Sequence, residues 1–500
     1  MVFLLNDLNI LKNRNLLPLR AHFWDWASLR RTFRVRSDRQ PNHGLPANSL
    51  LPFFRDDMLS HNVAGSVPSV PTQSHIQSLP PEILGEIFIH CLPSGYTYPH
   101  VNIRDAPMLL CQVCGYWREV ALSMAVLWSS FTCDLGSETK PSHTLLFELW
   151  VERSRAHPLS LAFIPDEHAG PTRKALIANV HRWHDIRVVL DAELGKMLLG
   201  IRGEEAPELE SLDVRVRSGR WNVDRLFSHW NSFPNLHRIA FEDDDYIPPS
   251  LVNMSWPRLT HIKLTCISAS DYITLLSHMP SVEHVFMRII TASPDSLTSG
   301  TAVTLPYLRS LTIQLDESGR GLDNLTLPSL VSLRTPQPTD PHVFKRFVER
   351  SQCRLALFEM RTDRFEDHEA LFYLRLPCME SLKSLKLNGH AVTDMLVTSL
   401  TWNAASNLRD PCILPHLEDI QLTTWDITDG VIANMVASRW SRTTPSTGLP
   451  TSLQHVELEY FWEDYRRLPG VEYHKLDVAC FERLIEEGLD VSWSCSCVHK

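Results

Sequence analysis

The 500-residue chain lacks long apolar runs and a convincing export signal. No stretch approaches the roughly eighteen uninterrupted apolar residues that a membrane-spanning helix needs, so we expect no membrane partner. Residues 1–5 begin like a signal peptide, but Asp7 and Lys12 interrupt the apolar run and no small-residue cleavage site follows. We therefore do not expect secretion.

The chain also lacks an excess of positive charge. Its net charge is -10 and its pI about 6.1, which favours solubility and provides no field that would recruit nucleic acid across the whole surface. Residues 1–40 are an exception, because eight basic side chains stand there against three acidic ones, while residues 41–500 sum to -15. We interpret this segment as a solvated basic arm, with a nuclear import signal or a lipid contact as the alternative.

The cysteines do not form the even, regularly spaced set of a disulfide framework. The chain has 11 of them, and several fall inside apolar stripes. Such cysteines indicate reduced thiols and hence a cytoplasmic or nuclear protein. With 44% hydrophobic and 21% charged residues, the composition is that of a globular protein of about two to four structural units.

Signatures of catalysis are missing as well. The sequence contains no phosphate-binding loop of the form Gly-x-x-x-x-Gly-Lys-Ser/Thr and no dinucleotide-binding, nucleophile-elbow or zinc-protease motif. We therefore expect a non-catalytic protein that uses no cofactor.

Two groups of residues have the chemistry of metal ligands. Cys111 and Cys114 have zinc-like spacing, but a zinc site needs four ligands and no second pair lies at a suitable distance, so we interpret both as structural thiols. Cys495, Cys497 and His499 form the second group, which we interpret as a frayed tail. We expect no metal site.

Two further polar patterns have ordinary explanations. His181 and His184 are three apart on a predicted helix, and no carboxylate motif accompanies them, so we interpret them as surface residues. Residues 242–245, Glu-Asp-Asp-Asp, follow a predicted strand and are expected in a loop at its end. That loop either selects a basic segment of a partner or is simply solvated, and solvated acidic loops are the more frequent case.

Two amphipathic helices can be predicted within residues 78–131. Ser78 can cap the first one, Pro80 and Pro81 suit a first turn that needs no amide donors, and Glu82 complements the helix dipole. Its apolar residues recur at three- and four-residue steps and form one stripe, which ends before Pro93. That stripe consists of Ile83, Leu84, Ile87, Phe88, Cys91 and Leu92.

The second predicted helix opens at Asp105 and Pro107 and has one apolar face. That face consists of Leu110, Val113, Cys114, Trp117, Val120 and Ala121. Two helices of this size carry more apolar surface than they can bury on each other, so we expect a partner surface.

These residues resemble the F-box, in the variant typical of mushroom-forming fungi. The matching positions are Leu79, Pro80, Glu82, Ile83, Leu84, Ile87, Phe88, Leu110, Val113, Cys114, Trp117, Arg118, Ala121, Leu127 and Trp128. Gly115 departs from the pattern, because a basic residue usually follows the cysteine, and Ala125 departs because a proline commonly precedes the Leu-Trp pair. The resemblance covers about a tenth of the chain.

The resemblance implies that the box docks on the Skp-type adaptor of a cullin-RING ubiquitin ligase and that the rest of the chain binds a target protein. The adaptor-binding residues that it implies are Leu79, Pro80, Ile83, Leu84, Ile87, Phe88, Val113, Trp117, Leu127 and Trp128. Some of these must instead hold the box together. The substrate-binding residues and the target remain unknown.

A pattern of eight residues, Pro-x-apolar-x-x-apolar-x-apolar, recurs beyond the box. Copies begin at Pro207, Pro234, Pro257, Pro280, Pro306 and, less completely, Pro328, with gaps of 27, 23, 23, 26 and 22 residues. This is the period of leucine-rich repeats. The last two apolar residues of each complete copy are separated by one residue, so they lie on the same face of a predicted strand, and the proline lies where the chain turns into that strand.

Two later copies begin at Leu382 and Leu417 and are 35 residues apart. A Thr-Asp pair follows each of them, at residues 393–394 and 428–429, and can cap the helix of its repeat. These copies resemble the cysteine-containing type of leucine-rich repeat often found behind an F-box, with His390 and Trp425 in place of the cysteine. A strand from Leu453, a helix over residues 476–487 that Gly488 stops, and a last strand at Val491 and Trp493 are expected to close the chain.

Residues between the box and the first repeat predict a helix over 145–153, a strand over 158–163, a helix over 173–184 and a strand over 186–190. We expect an α/β protein in which a short all-helical F-box precedes a curved leucine-rich-repeat solenoid with parallel strands. The predicted divisions are a basic arm and linker over 1–75, the F-box over 76–135, the repeats over 136–470, and a C-terminal helix, strand and tail over 471–500.

The expected function is that of a substrate-recruiting subunit of a Skp-cullin-F-box type ubiquitin ligase. Such a subunit acts by proximity, because it raises the effective concentration of the target near the ligase without chemistry of its own. The alternative is a leucine-rich-repeat scaffold that binds proteins without ubiquitylation.

Overall fold

A computed structural model gives the structure of this protein. It describes residues 79–93, 98–101, 104–135, 141–166, 168–216, 223–243, 255–268, 271–290, 302–315, 321–335, 340–361, 367–389, 392–402, 413–425, 427–440, 452–462 and 474–497. The predicted arm and linker over 1–75, the predicted cap Ser78, and the residues His390 and His499 therefore lie outside the described residues. The chain divides into two compact units, with the boundary between Thr172 and Arg173.

The first unit combines short helices with two parallel strands. Its helices are α1 (Pro81–His90), α2 (Leu110–Val113), α3 (Gly115–Ser123) and α4 (Pro141–Arg153), and a 3-10 turn covers Ala125–Trp128. Its strands are β1 (Ser130–Asp134) and β2 (Leu159–Ile164). Because β1 lies within residues 76–135, the expectation that this segment is all-helical was wrong. The helix α5 (Gly170–Ala178) contains the boundary between the units.

The second unit alternates strands with helices or turns. Its strands are β3 (Trp183–Leu190), β4 (Ser211–Val216), β5 (Arg238–Glu242), β6 (His261–Ser268), β7 (His284–Ile290), β8 (Val303–Thr304), β9 (Ser310–Leu315), β10 (Leu325–Thr326), β11 (Ser332–Thr335), β12 (Leu357–Arg361), β13 (Ser384–Asn388), β14 (Asp419–Trp425), β15 (His455–Trp462) and β16 (Asp490–Cys497). Its helices are α6 (Ala192–Leu198), α7 (Val223–Trp230), α8 (Asp271–Ser277), α9 (Pro341–Ser351), α10 (Asp367–Leu374), α11 (Asp394–Leu400), α12 (Val431–Arg439) and α13 (Lys475–Glu486).

The strands of the second unit form a large, open parallel sheet. Their order in the sheet follows the sequence, β3-β4-β5-β6-β7-β9-β11-β12-β13-β14-β15-β16, while β8 and β10 pair with each other in a separate two-stranded sheet. Sequence order in a parallel sheet means that each strand lies beside the strand of the next repeat. The α/β class and the parallel strands are confirmed.

One row of apolar side chains runs across this sheet in register. Its members are Ile186, Leu212, Ile239, Ile262, Val285, Leu311, Leu333, Phe358, Leu385, Ile420, Val456 and Val491. All of them are buried. Because residues two apart on a strand share a face, this row and the next apolar row form the core side of the sheet.

The other face of the sheet is mostly polar. The row one residue further along consists of Arg187, Asp213, Ala240, Lys263, Phe286, Thr312, Arg334, Glu359, Lys386, Gln421, Glu457 and Ser492. We call this side of the sheet the polar face. The alternation explains why each predicted strand carries its apolar residues at every second position.

The eight-residue pattern predicted the strands of the repeats correctly. In the complete copies the last two apolar residues lie on a strand of the sheet, as Leu212 and Val214 do in β4, and the incomplete copy at Pro328 places Leu333 in β11. Among the strands of the large sheet in the second unit, β12 was missed: Leu355, Phe358 and Met360 keep the apolar spacing, but Cys353 occupies the position of the proline. The two short strands β8 and β10 were not predicted either. The strand at Val491 and Trp493, the helix that ends before Gly488, and the elements near 145–153, 158–163 and 186–190 are also present.

Three further local predictions were wrong. The helix predicted over 173–184 ends at Ala178, and β3 already begins at Trp183. The Trp183 side chain is buried, and its indole nitrogen donates to the Leu176 carbonyl at 3.2 Å, which holds the start of the strand against the end of the helix. The single helix predicted from Asp105 to Ala121 is broken at Cys114. The tail predicted to fray instead continues β16 as far as Cys497, in parallel register with β15.

A buried arginine joins two of the repeats. Arg439, at the end of α12, is 2% exposed, and its guanidinium donates to the carbonyls of Leu400 at 2.6 Å, Ile413 at 2.6 Å and Leu414 at 2.9 Å. Leu400 is the last residue of α11, where carbonyl groups lack helical partners. Arg439 therefore closes the end of the preceding repeat's helix.

Candidate docking surface

Helix α1 begins at a pair of prolines. Pro80 is its N-cap and Pro81 its first residue, and the Leu84 amide donates to the Pro80 carbonyl at 3.0 Å. A proline loses nothing at the first helical position, because the amide there has no helical partner. The helix buries Leu84, Gly85 and Phe88 and ends at His90, before Pro93.

The break between α2 and α3 is centred on Cys114. Its backbone is extended, with φ -161° and ψ 171°, and its thiol accepts a hydrogen bond from the Trp117 amide at 3.4 Å. The cysteine thus acts as the N-cap of α3, a role that serine or aspartate fills more often. On the two sides of the break, Leu110 before it and Val120 and Ala121 after it are buried, whereas Val113, directly before Cys114, is exposed.

Aromatic side chains join α1 to α3. The rings of Phe88 and Trp117 are 5.0 Å apart between centroids and tilted by 58°, and the Tyr116 hydroxyl donates to the Leu79 carbonyl at 2.9 Å. Gly85 faces the Met124 side chain so closely that a Cβ there would lie 2.9 Å from its terminal methyl. A residue larger than glycine at position 85 requires Met124 to move.

The Leu-Trp pair lies in the core of this unit. Trp128 is fully buried, its indole nitrogen donates to the Ala121 carbonyl at 2.9 Å, and its ring meets Trp150 edge to face at 4.9 Å. The Arg153 guanidinium carbon lies 4.7 Å from the Trp128 ring centroid, within the range of a cation–π contact. Leu127 is 1% exposed.

The ten residues expected to bind an adaptor therefore differ in accessibility. Pro80, Ile83 and Val113 are exposed; Leu79, Ile87 and Trp117 are half-buried; Leu84, Phe88, Leu127 and Trp128 are buried. The four buried side chains hold the unit together, and a partner cannot reach them without opening it.

The exposed residues belong to a larger group of accessible apolar side chains. We call Ile83, Ile89, Leu109 and Val113 the exposed apolar set, while Leu145, which is also exposed, lies on α4 outside the segment 83–113. Ile83 is 52%, Leu109 47% and Val113 54% exposed. Single exposed apolar side chains are common on proteins, but four of them within residues 83–113 make this segment a candidate for contact with a partner. Leu109 was missed from the sequence, although its four-residue spacing from Val113 was a usable signal.

The two departures from the F-box pattern have simple local settings. Gly115 is the first residue of α3, and a Cβ added there would meet nothing within 4 Å. Ala125 begins the 3-10 turn that carries Leu127 into the core. Neither position removes a buried apolar contact.

Seven of the described cysteines are free thiols, and they are Cys91, Cys111, Cys114, Cys133, Cys353, Cys378 and Cys480. The Cys111 carbonyl accepts the Arg118 side chain at 2.8 Å, and burial raises the pKa of the Cys111 thiol. Cys111 and Cys114 do not belong to any group of converging metal-capable side chains among the described residues.

One group with metal-capable chemistry does converge within the described residues, and it consists of Asp429, His474 and Asp477. Asp429 accepts from the amides of Leu476 and Asp477 at 3.0 Å each. Its carboxylate therefore serves the N-terminus of α13.

The carboxylate of Asp477 is fully buried and is used on both oxygens. It accepts from the amides of Gly430 at 3.1 Å and Ala433 at 2.8 Å, and it also meets the Tyr460 hydroxyl at 3.4 Å and the His474 Nδ1 at 3.0 Å. Hydrogen bonds thus occupy the lone pairs that a cation would need. We interpret the group as reciprocal capping of α12 and α13.

Reciprocal capping corrects the expectation for the Thr-Asp pairs. Thr393 does cap its own helix α11, by accepting from the Met395 amide at 3.3 Å. Asp394, however, accepts from the Thr428 amide at 2.8 Å, and Asp429 serves α13, so each aspartate bonds the following repeat.

Charges on the first strands of the polar face are paired with each other. Arg187 meets Asp213 at 2.6 Å, and Glu242 meets both Arg215, at 2.9 Å, and Lys263. Glu242 was expected in a solvated loop, but it ends β5 and its carboxylate is bound to these two cations.

Histidines also stack on the polar face. The rings of His261 and His284, on neighbouring strands, are 4.3 Å apart and nearly parallel. Burial lowers the pKa of His261 to about 3, and burial also lowers the pKa of His284. Neutral imidazoles stack without repulsion, which agrees with both directions. His184 lies in β3 and His181 in a 3-10 turn, so the two are not on one helix.

A cavity of about 300 Å³ lies between two repeats of the second unit. Its walls include the rings of Trp230, Phe233 and Trp256, with Asn231 and Arg258 at polar positions. Within the described chain, every helix is too short or too polar to cross a membrane.

The chain matches no protein-family model and no curated protein sequence.

Proposed function

We propose that the chain is the substrate-recruiting subunit of a Skp-cullin-F-box type ubiquitin ligase. Residues 78–131 form an F-box that docks on a Skp-type adaptor, and the leucine-rich repeats bind the target protein. The chain carries out no chemistry itself and acts by bringing target and ligase together.

The observation that carries the proposal is the exposed apolar set on a small helical unit. Ile83 and Val113 occupy positions that the resemblance assigns to adaptor binding, and each exposes about half of its side chain. The remaining exposed area of such a residue contributes on the order of 1 kcal/mol when a partner covers it. Several such residues together supply a hydrophobic centre for an interface.

The repeats support the second half of the proposal. The polar face gives a surface that crosses many strands, as repeat proteins use for partners. Free thiols support a cytoplasmic or nuclear setting, where cysteines remain reduced.

A pull-down of the full-length protein with a purified Skp-type adaptor tests the docking. Ile83→Asp is expected to weaken adaptor binding at least tenfold, because it introduces a charge into the apolar contact, while its exposed position leaves folding intact. Leu145→Asp is the matched control, since Leu145 is also 52% exposed but lies on α4, outside the F-box pattern.

Adaptor binding by wild type and by Leu145→Asp, with little binding by Ile83→Asp, is the expected result. Absence of binding by folded wild-type protein would falsify the ligase assignment and favour the scaffold alternative. Equal binding by all three proteins would show that the adaptor uses a different surface.

A further inference from the structure

Strand β16 is an edge strand of the sheet in the part of the chain that the structure describes. Within the described residues it pairs on one side only, with β15, over the whole length of Asp490–Cys497. An edge strand offers alternate amide and carbonyl groups to a further strand. Natural proteins usually block such edges with proline, a bulge or lysine, and the sequence of β16 contains none of these residues while its register with β15 is regular.

Carboxylates next to this edge lack the pairing that occurs elsewhere on the polar face. Glu457 and Glu459, on β15, are half-buried and make no ion pair or hydrogen bond with any part of the chain that the structure describes. The carboxylates of Asp213 and Glu242, on the first strands of the same face, each have a cationic partner. The sheet therefore neutralises acidic residues on its first strands and leaves Glu457 and Glu459 unpaired beside β16, while Asp490, on β16 itself, meets His455 at 3.1 Å.

The residues between these carboxylates and the edge are small. Ser492 and Ser494 of β16 lie directly beside Glu457 and Glu459 in the register, and both serines are exposed. A strand added outside β16 would lie two strand spacings, about 9.6 Å, from β15. Arginine or lysine side chains on that strand can extend over the serines to the glutamates.

Spacing along the strand defines the partner further. Glu457 and Glu459 are two residues apart, so they point to one face about 6.6 Å from each other. Two basic residues that are two positions apart on an extended segment have the same spacing as Glu457 and Glu459, and their side chains also point to one face of the strand. The match favours a segment of the form basic-x-basic over a helix, whose side chains would not follow this period.

We propose that β16 binds an extended basic-x-basic segment of the target protein as an added β-strand, with the two basic side chains on Glu457 and Glu459. This inference rests on the proposed target-binding role of the repeats and names the class of segment bound. Backbone hydrogen bonds to β16 supply affinity, and the glutamates supply selectivity.

Binding of a labelled peptide to the full-length protein, without adaptor, tests the proposal. The probe is a capped ten-residue peptide with arginine at two positions separated by one valine; one comparison peptide replaces both arginines by glutamine, and another carries an N-methyl group on that valine. Glu457→Gln with Glu459→Gln is expected to weaken binding of the arginine peptide about tenfold, since two surface ion pairs are lost. The N-methyl peptide is expected to bind at least tenfold more weakly, because it cannot complete the strand hydrogen bonds.

Glu482→Gln with Glu486→Gln is the matched control. It removes the same charge from the same repeat, but both residues are exposed on helix α13, outside the sheet. Binding by this variant is expected to stay within twofold of wild type.

An equal loss of binding in both double variants would reduce the effect to net charge and overturn the proposal, as would equal binding of the N-methyl peptide. Self-association of the protein through β16, measured by sedimentation and abolished by excess peptide, would assign the edge to a second copy and also overturn it. A failure of adaptor docking leaves this measurement unaffected, and a failure of peptide binding leaves adaptor docking unaffected.

Discussion

Replacement of Arg439 by methionine tests how adjacent repeats are held together. Methionine keeps the length and burial of the side chain and removes the three hydrogen bonds to Leu400, Ile413 and Leu414. Hydrogen bonds from a charged donor contribute about 1.5–3 kcal/mol each, but three that share one guanidinium are not additive. Methionine also recovers part of the loss by apolar burial, so we expect the free energy of unfolding to fall by about 3–5 kcal/mol.

Urea unfolding followed by circular dichroism measures the total effect, and hydrogen–deuterium exchange locates it. Amides of α11 are expected to exchange faster in Arg439→Met, because the helix loses the donor at its C-terminal carbonyls, while amides of α6 are expected to change less. Arg202→Met is the matched control, since the Arg202 side chain is 70% exposed and its ion pairs lie at the surface, so its unfolding midpoint should stay close to that of wild type. Similar unfolding midpoints for Arg439→Met and wild type would refute the reasoning.

Three other predictions concern capping, acid stability and thiol reactivity. Asp477→Ala should lower the free energy of unfolding by about 2–4 kcal/mol and speed amide exchange in α12, because two amide groups and a hydroxyl lose a buried acceptor. An equal change of exchange rate in α12 and α6 would contradict this prediction. The pKa of His261 is about 3 in the folded protein and ordinarily 6.5, so the unfolded chain takes up the proton first as the pH falls. The free energy of unfolding should therefore decrease below about pH 6.5. His261→Gln should make this decrease with pH smaller, as measured by urea titrations at several pH values. The exposed thiol of Cys91 should react with iodoacetamide in the native protein at least tenfold faster than Cys378, whose pKa burial raises to about 12, and mass spectrometry of the labelled peptides checks the order.

The strands of the repeats could be predicted from the sequence because each strand of the parallel sheet must bury side chains at the same positions of its repeat. Two apolar residues two positions apart must face the core in each copy, and the register of the sheet then aligns Leu212, Ile239 and Ile262. The missed strand β12 shows the limit of the motif: its apolar spacing was present, but Cys353 replaced the proline that marked the other copies.

The candidate docking surface was only partly predictable. Apolar periodicity identifies residues that avoid water, but it does not separate those that a fold covers from those that it leaves for a partner. Leu84 and Ile83 are adjacent in one stripe, yet the first is fully buried and the second half exposed, because α3 packs against only part of α1. The break between α2 and α3 at Cys114 could not be predicted from the sequence, because the apolar spacing continues across it. The structure shows the break because the Cys114 thiol is the N-cap of α3.

The aspartates near the helix starts make the last repeats interdependent. Asp394 bonds Thr428, Asp429 bonds the start of α13, and Asp477 bonds the start of α12 in return. The stability of a repeat protein is approximately the sum of the intrinsic stability of each repeat and the interaction free energy between neighbouring repeats. Hydrogen bonds between repeats contribute to the second of these quantities. These repeats should therefore open as one cooperative block, and deleting the final helix should destabilise α12 even where its own sequence is unchanged. A change in the length of one of these repeats is tolerated only if the next repeat's amide groups remain within reach of the same carboxylate.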